Sequence, residues 1–196
     1  MPLIVDREQV RQEILYALQQ CLEEKPLLKV SMRDIAAKAK IAHSKINYYF
    51  NTKEKLLLAY IEFFAISYQS EIEHWYIKYK QNNANLNESS QTIVKHFIKD
   101  MVLISHQKQS WAFTQISTMG QYNTEIRSAI KNVYNDWRES IKRVLEEIYR
   151  GEDDHMVYKA EAVLIIIDGL LIYSLHEKID ESRIDAVLAN ITLCFF

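Results

Sequence analysis

The 196-residue chain is 48% hydrophobic and 26% charged, a balance that excludes a disordered polymer and fits a globular protein. Three Gly and two Pro leave too few turn-formers for the many tight turns of a β-sandwich, so the composition points to an all-α fold. The net charge of −2 conceals an asymmetry: residues 29–55 hold seven basic side chains against Asp34 and Glu54, and the rest of the chain is acidic.

The first ten residues, MPLIVDREQV, lack the basic segment and long apolar run of a secretory signal. A first helix is predicted from near Asp6, which can cap it, to Glu24, with Val10, Ile14, Leu15, Leu18 and Leu22 at helical spacing and Pro26 as its stop. Ser31 followed by Asp34 is a capping-box pattern that opens a second helix, with Met32, Ile35, Ala36 and Ala39 on one face. A short third helix is expected over His43–Phe50, with Ile46, Tyr49 and Phe50 inward. Thr52 then caps a long fourth helix striped by Leu57, Tyr60, Ile61, Phe64, Tyr68, Ile72, Trp75 and Tyr79. The Asn- and Ser-rich stretch Gln81–Ser90 reads as a loop. A fifth helix carries Ile93, Phe97, Met101 and Ile104, and a shorter sixth spans Ser110–Met119 and ends at Gly120. The seventh runs from Asn123 to Gly151 with Ile126, Ile130, Val133, Trp137, Ile141, Val144 and Ile148 along one side. An eighth covers Met156–Glu177, apolar on nearly every side, and a ninth starts at Asp180.

The longest apolar run, Ala162–Ile167, falls far short of the ~20 residues that cross a bilayer. Cys21 and Cys194 have no CxxC partner and read as core thiols. A cytoplasmic protein without a membrane partner is expected.

The segment from Ser31 to Leu56, SMRDIAAKAKIAHSKINYYFNTKEKL, has the make-up of a helix-turn-helix. Ala36 is small where two backbones must approach, and Ile35, Ala39, Ile41, Ile46 and Tyr49 supply a miniature core. The third helix then turns His43, Ser44, Lys45, Asn47 and Tyr48 outward, side chains able to donate and accept hydrogen bonds in a major groove. Ser31, Arg33 and Lys53 are candidate phosphate contacts beside them.

The run IAHSKINYYFNTKEKL resembles the recognition element of the TetR family of transcriptional repressors. Tyr49, Phe50, Lys53, Glu54 and Leu56 match its pattern, and Asp34-Ile35-Ala36 matches the helix before it. The motif covers about residues 6–60. Asp168-Gly169-Leu170 also resembles a tripeptide of the subgroup typified by choline-responsive betaine regulators. The chain departs from the family in carrying Lys40 where the turn usually has Gly, Ser44 for a common small residue, and Asn47 where a phosphate-binding Tyr is common. A non-Gly residue in the left-handed conformation costs about 1 kcal/mol.

The resemblance implies a DNA-binding domain over 1–52 and a ligand-binding and dimerisation domain over 53–196, about nine helices in all. It implies a homodimer that represses transcription from double-stranded operator DNA and is released by a small-molecule inducer. Candidate ligand residues, each with a polar atom on an otherwise apolar face, are Tyr68, His96, Trp111, Gln115, Tyr122 and Trp137. The apolar eighth and ninth helices suggest a two-fold interface through Ile165, Ile172, Ile184, Leu188 and Ile191. No cofactor or metal is called for. The alternative is a helical-bundle metalloenzyme or adaptor that does not bind DNA, on the strength of two Glu-x-x-His pairs, Glu71/His74 and Glu152/His155. The chain has no HExxH, Gly-rich phosphate loop or G-x-S-x-G, so an enzyme is not expected.

Overall fold

The computed structural model describes residues 7–82, 88–107, 111–151 and 155–195. Among the described residues there are nine α-helices: α1 (Arg7–Glu24), α2 (Met32–Lys38), α3 (His43–Tyr49), α4 (Lys53–Asn82), α5 (Ser90–Gln107), α6 (Trp111–Thr118), α7 (Thr124–Tyr149), α8 (Met156–Ser174) and α9 (Glu181–Phe195). The expected Asp6 cap, the centre of the Gln81–Ser90 loop, Ser110 and Glu152 lie outside the described residues.

Local chemistry explains most of the boundaries. Ser31 and Asp34 form the reciprocal capping box at the start of α2, and Thr52 Oγ1 accepts the Lys55 N–H at the start of α4. At the end of α2 the Ile41 N–H reaches Ala36 O and the Lys40 N–H reaches Ala37 O, with Lys40 at φ 55°. That is a Schellman ending, in which the left-handed position is normally glycine. Asn123 Oδ1 accepts the Ile126 N–H and starts α7.

Three endings differ from the sequence reading. Helix α7 stops at Tyr149, because Arg150 at φ 57°, and not Gly151, takes the left-handed position and lets the Gly151 N–H reach Glu146 O. Gly120 lies within a 3-10 turn, Met119–Gln121, where a Cβ would come 3.3 Å from Arg127 Cα. Its role is close approach to α7, and Arg127 reinforces it by donating to Gly120 O and Gln121 O, both at 2.7 Å. Helix α8 ends at Ser174, three residues before Glu177.

The chain divides into two compact units, each discontinuous in sequence. The first comprises Met1–Ile66 and Gln109–Val133. Its core is Ile14, Leu15, Leu18 and Leu22 of α1, Ile35 and Ala36 of α2, Ile46 of α3, Leu56, Leu57, Tyr60 and Ile61 of α4, and Phe113 and Ile116 of α6. The second comprises Ser67–Lys108 and Tyr134–Phe196, and within it α5 packs on both α8 and α9. The buried face of α5 is Val94, Phe97, Ile98, Met101 and Val102, whereas the expected Ile93 and Ile104 are only half-buried at its margin. No helix among the described residues is long and apolar enough to cross a membrane.

Candidate nucleic-acid interface

The outward face of α3 is built on a small core. Ile35 and Ile46 are fully buried, Ala36 and Phe50 nearly so, and Ile41, Ala39 and Tyr49 are half-buried between the two short helices. With Ile46 inward, a 3.6-residue period turns His43, Ser44, Asn47 and Tyr48 to solvent, with Lys45 at the edge. Ser31 and Arg33 are exposed at the first turn of α2. Two arginines of α1 pack on the end of α3: Arg11 sits 4.9 Å from the Phe50 ring centroid and Arg7 6.0 Å from that of Tyr48.

The electrostatics of α2 centre on Asp34. Its carboxylate accepts the Ser31 N–H at 2.7 Å and the Ser31 hydroxyl at 2.6 Å, and pairs with Lys25 at 2.8 Å. The Lys25 ammonium and the Ser31 donors hold the carboxyl far below the usual carboxylate range.

Lys53 has a different environment from that of an outward basic residue. Its ammonium donates to Leu27 O at 2.7 Å and to Val30 O at 2.6 Å, and partial burial pushes its pKa down. Gln115 serves the same stretch of chain, accepting the Leu27 N–H at 2.9 Å and donating to Leu22 O at 2.9 Å. No sequence signal marks these bonds, because their partners lie 26 and 88 residues apart.

The six candidate ligand residues are divided between the units. Trp111, Gln115 and Tyr122 belong to the first, and Tyr122 is almost wholly exposed. Tyr68, His96 and Trp137 belong to the second, where only Tyr68 and Trp137 meet, with ring centroids 4.9 Å apart. His96 is exposed beside Glu88 and the Tyr79 ring. Two residues not among the expected ligand residues, Tyr134 and Asp168, complete the Tyr68–Trp137 cluster. The Tyr134 ring lies 5.7 Å from Trp137, and its hydroxyl donates to Asp168 Oδ2 at 2.7 Å. Burial raises the Asp168 carboxyl pKa, and the Tyr134 bond lowers it by less. Tyr68 is fully enclosed and directs its hydroxyl at Met101 O. A separate surface cleft of about 360 Å³ is walled by Glu73, Tyr76, Ile77, Ser140, Arg143, Val144 and Glu147, none of them an expected ligand residue.

Of the candidate interface residues, Ile165 and Ile172 are exposed on α8, Ile191 is half-buried, and Ile184 and Leu188 are buried inside the second unit. Tyr158, Ile165 and Ile172 recur every seven residues and form one outward stripe, with exposed Gly169 between the last two. Of the two Glu-x-x-His pairs, Glu71 pairs with Lys78 and His74 bonds Ser70 O. Among the described residues no three His, Cys, Asp or Glu side chains converge as metal ligands would.

Residues 14–60 match the family model for bacterial regulatory proteins of the tetR family. No curated protein sequence matches the chain. Solved structures share the fold at low identity. A TetR transcription regulator from Haloarcula marismortui is 16% identical over 95% of this chain and 96% of its own, with a TM-score of 0.71. A protein from Syntrophomonas wolfei, described as a TetR-family transcriptional regulator, is 20% identical over 97% and 98%, with a TM-score of 0.70. One from Saccharomonospora viridis, described as a transcriptional regulator and solved in complex with choline, is 17% identical over 96% and 98%, with a TM-score of 0.72.

Proposed function

We propose that the chain, whose residues 14–60 match the tetR-family model, is a non-enzymatic TetR-family transcription regulator, a dimeric, cytoplasmic repressor that leaves its operator when a small molecule binds. The observation that carries the DNA-reading part is the outward set on α3: with Ile46 buried, His43, Ser44, Asn47 and Tyr48 are all exposed, and Lys45 flanks them. Ser31 and Arg33 stand ready for phosphates beside them. Roles then divide near residue 52, with DNA reading before it and ligand binding and dimerisation after it.

The stripe Tyr158–Ile165–Ile172 supports dimerisation. It is apolar surface left over after α8 has buried Ala160, Val163, Leu164 and Ile167 within its own unit. Gly169 in that stripe would let a second copy of α8 approach closely, since among the described residues nothing beyond its own stretch of helix lies within 4 Å of where a Cβ would sit. Ligand sensing is supported by the cluster of Tyr68, Tyr134, Trp137 and Asp168, in which Trp137 packs on the Tyr68 and Tyr134 rings and the Tyr134 hydroxyl donates to the Asp168 carboxylate. That chemistry suits a small organic cation, and the choline-bound relative is consistent with it.

The test is enrichment of duplexes from a randomised DNA pool by the full-length protein, followed by titration of the selected duplex. Binding with a two-fold symmetric site is expected, together with a changed sequence preference in Asn47→Ala or Tyr48→Ala. A wild-type protein that enriches no duplex at low salt overturns the reading.

A further inference from the structure

We propose that Lys53 and Gln115 act in DNA recognition as positioning residues that strap the turn before α2 in place, and that Lys53 is not a phosphate contact. This rests on the DNA-reading role proposed above. The turn Leu27–Val30 joins α1 to the Ser31 cap of α2, so its placement sets where α2 begins. Through the Ile35, Ala36 and Ile46 core it also sets where α3 presents its outward side chains.

The turn has little means of holding itself. Its own backbone bonds are Lys29 N–H to Pro26 O and Val30 N–H to Leu27 O. Leu27 and Val30 are buried, but Leu28 between them is 93% exposed. Pro26 has no N–H, and α1 ends with carbonyls that its helix cannot satisfy. Two side chains from distant segments supply what is missing. From α6, Gln115 donates to the orphan Leu22 carbonyl and accepts the Leu27 N–H, each at 2.9 Å, so one amide bridges the end of α1 and the start of the turn. From the first residue of α4, the Lys53 ammonium donates to Leu27 O and Val30 O at 2.7 and 2.6 Å, closing the other end immediately before Ser31. All five residues lie within one compact unit. An ammonium has three donors, and two of these are spent on carbonyls; partial burial further limits its reach toward a phosphate.

The two roles leave different signatures in salt. Removing a phosphate contact flattens the dependence of log K on log salt by about 0.9 and weakens every duplex alike. Removing a positioning residue leaves the slope intact and costs affinity for the preferred duplex. The experiment measures binding of the full-length protein to the duplex it selects from a randomised pool, and to a duplex of unrelated sequence, at several salt concentrations. The variants are Lys53→Met, Lys53→Arg, Gln115→Leu and Arg33→Ala, and each is first checked by circular dichroism and thermal unfolding. Expected for Lys53→Met is a loss of about tenfold or more on the selected duplex with an unchanged slope. Lys53→Arg, which keeps donors at the same place, should recover most of it. Gln115→Leu, which alters no charge, should show the same selective loss. Arg33→Ala should flatten the slope and so calibrate the assay.

A slope flattened by about 0.9 in Lys53→Met, with Gln115→Leu binding as wild type, overturns the proposal. If Lys53→Met fails to fold, the decision falls to Gln115→Leu and Lys53→Arg: selective loss in Gln115→Leu with a wild-type slope, while Lys53→Arg binds nearly as wild type, supports the strap, and wild-type affinity in Gln115→Leu overturns it. A wild-type protein that selects no duplex overturns the DNA-reading role itself, an outcome separate from any failure of the variants.

Discussion

Lys40 stores backbone strain that a single substitution should release. It holds φ 55° at the Schellman end of α2, where its Cβ crowds the neighbouring carbonyl, at a cost of roughly 1–2 kcal/mol. Lys40→Gly removes that cost but gives the unfolded chain extra freedom worth about 0.4–1 kcal/mol. The net expectation is a gain of roughly 0–1.5 kcal/mol, or up to about 6 °C in Tm for a chain of this length. Lys40→Ala is the control. It removes the same exposed ammonium and keeps the Cβ, so it should be less stable than Lys40→Gly. Urea unfolding of the three proteins, monitored by far-ultraviolet circular dichroism, separates strain from charge. Arg150 at φ 57° repeats the geometry at the end of α7, and Arg150→Gly should follow the same sign. If the Gly and Ala variants at position 40 were equally stable, the strain argument would be wrong, and the Schellman ending would tolerate Lys40 without cost.

Ile46→Ala should destabilise the first unit by about 2–5 kcal/mol, because the side chain is fully enclosed between the short helices. Urea unfolding reads this directly, and an effect below about 0.5 kcal/mol would show that the helix-turn-helix core is not packed as described. Asp168→Asn should raise stability at neutral pH and give no gain below about pH 4. The sign follows from burial: the folded carboxyl has the higher pKa, so the wild type loses stability as pH rises from the unfolded value through the folded one, and the amide variant escapes that loss. Calorimetry across that range checks it, and a gain that is the same at every pH would remove the electrostatic cause. Ile165→Glu places a charge at the centre of the outward stripe of α8 and should shift sedimentation from dimer to monomer while leaving the helical spectrum intact; a wild-type monomer at micromolar concentration would refute the dimer.

Much of this protein was legible along the chain, because helix starts and small cores depend on neighbours a few residues away. Ser31 and Asp34 predict the start of α2, Thr52 that of α4, and the spacing of Ile35, Ala36 and Ile46 predicts which face of α3 is left outward. Even the departure at Lys40 carries its conformation with it, since a Schellman ending requires the left-handed position there. Tertiary structure decided what each outlying polar or apolar group meets. A helical period assigns Ile184 and Leu188 to the apolar side of α9 without saying which neighbour covers that side, and the fold turns both inward within the second unit. It left Tyr122 in solvent, gave Asp168 to Tyr134, and gave Lys53, read along the chain as a phosphate contact, and Gln115, read as a ligand residue, bonds to the α1–α2 turn. Those choices rest on contacts between segments tens of residues apart. Period and capping carry no record of such contacts, because both describe a helix only against its own axis and its own ends.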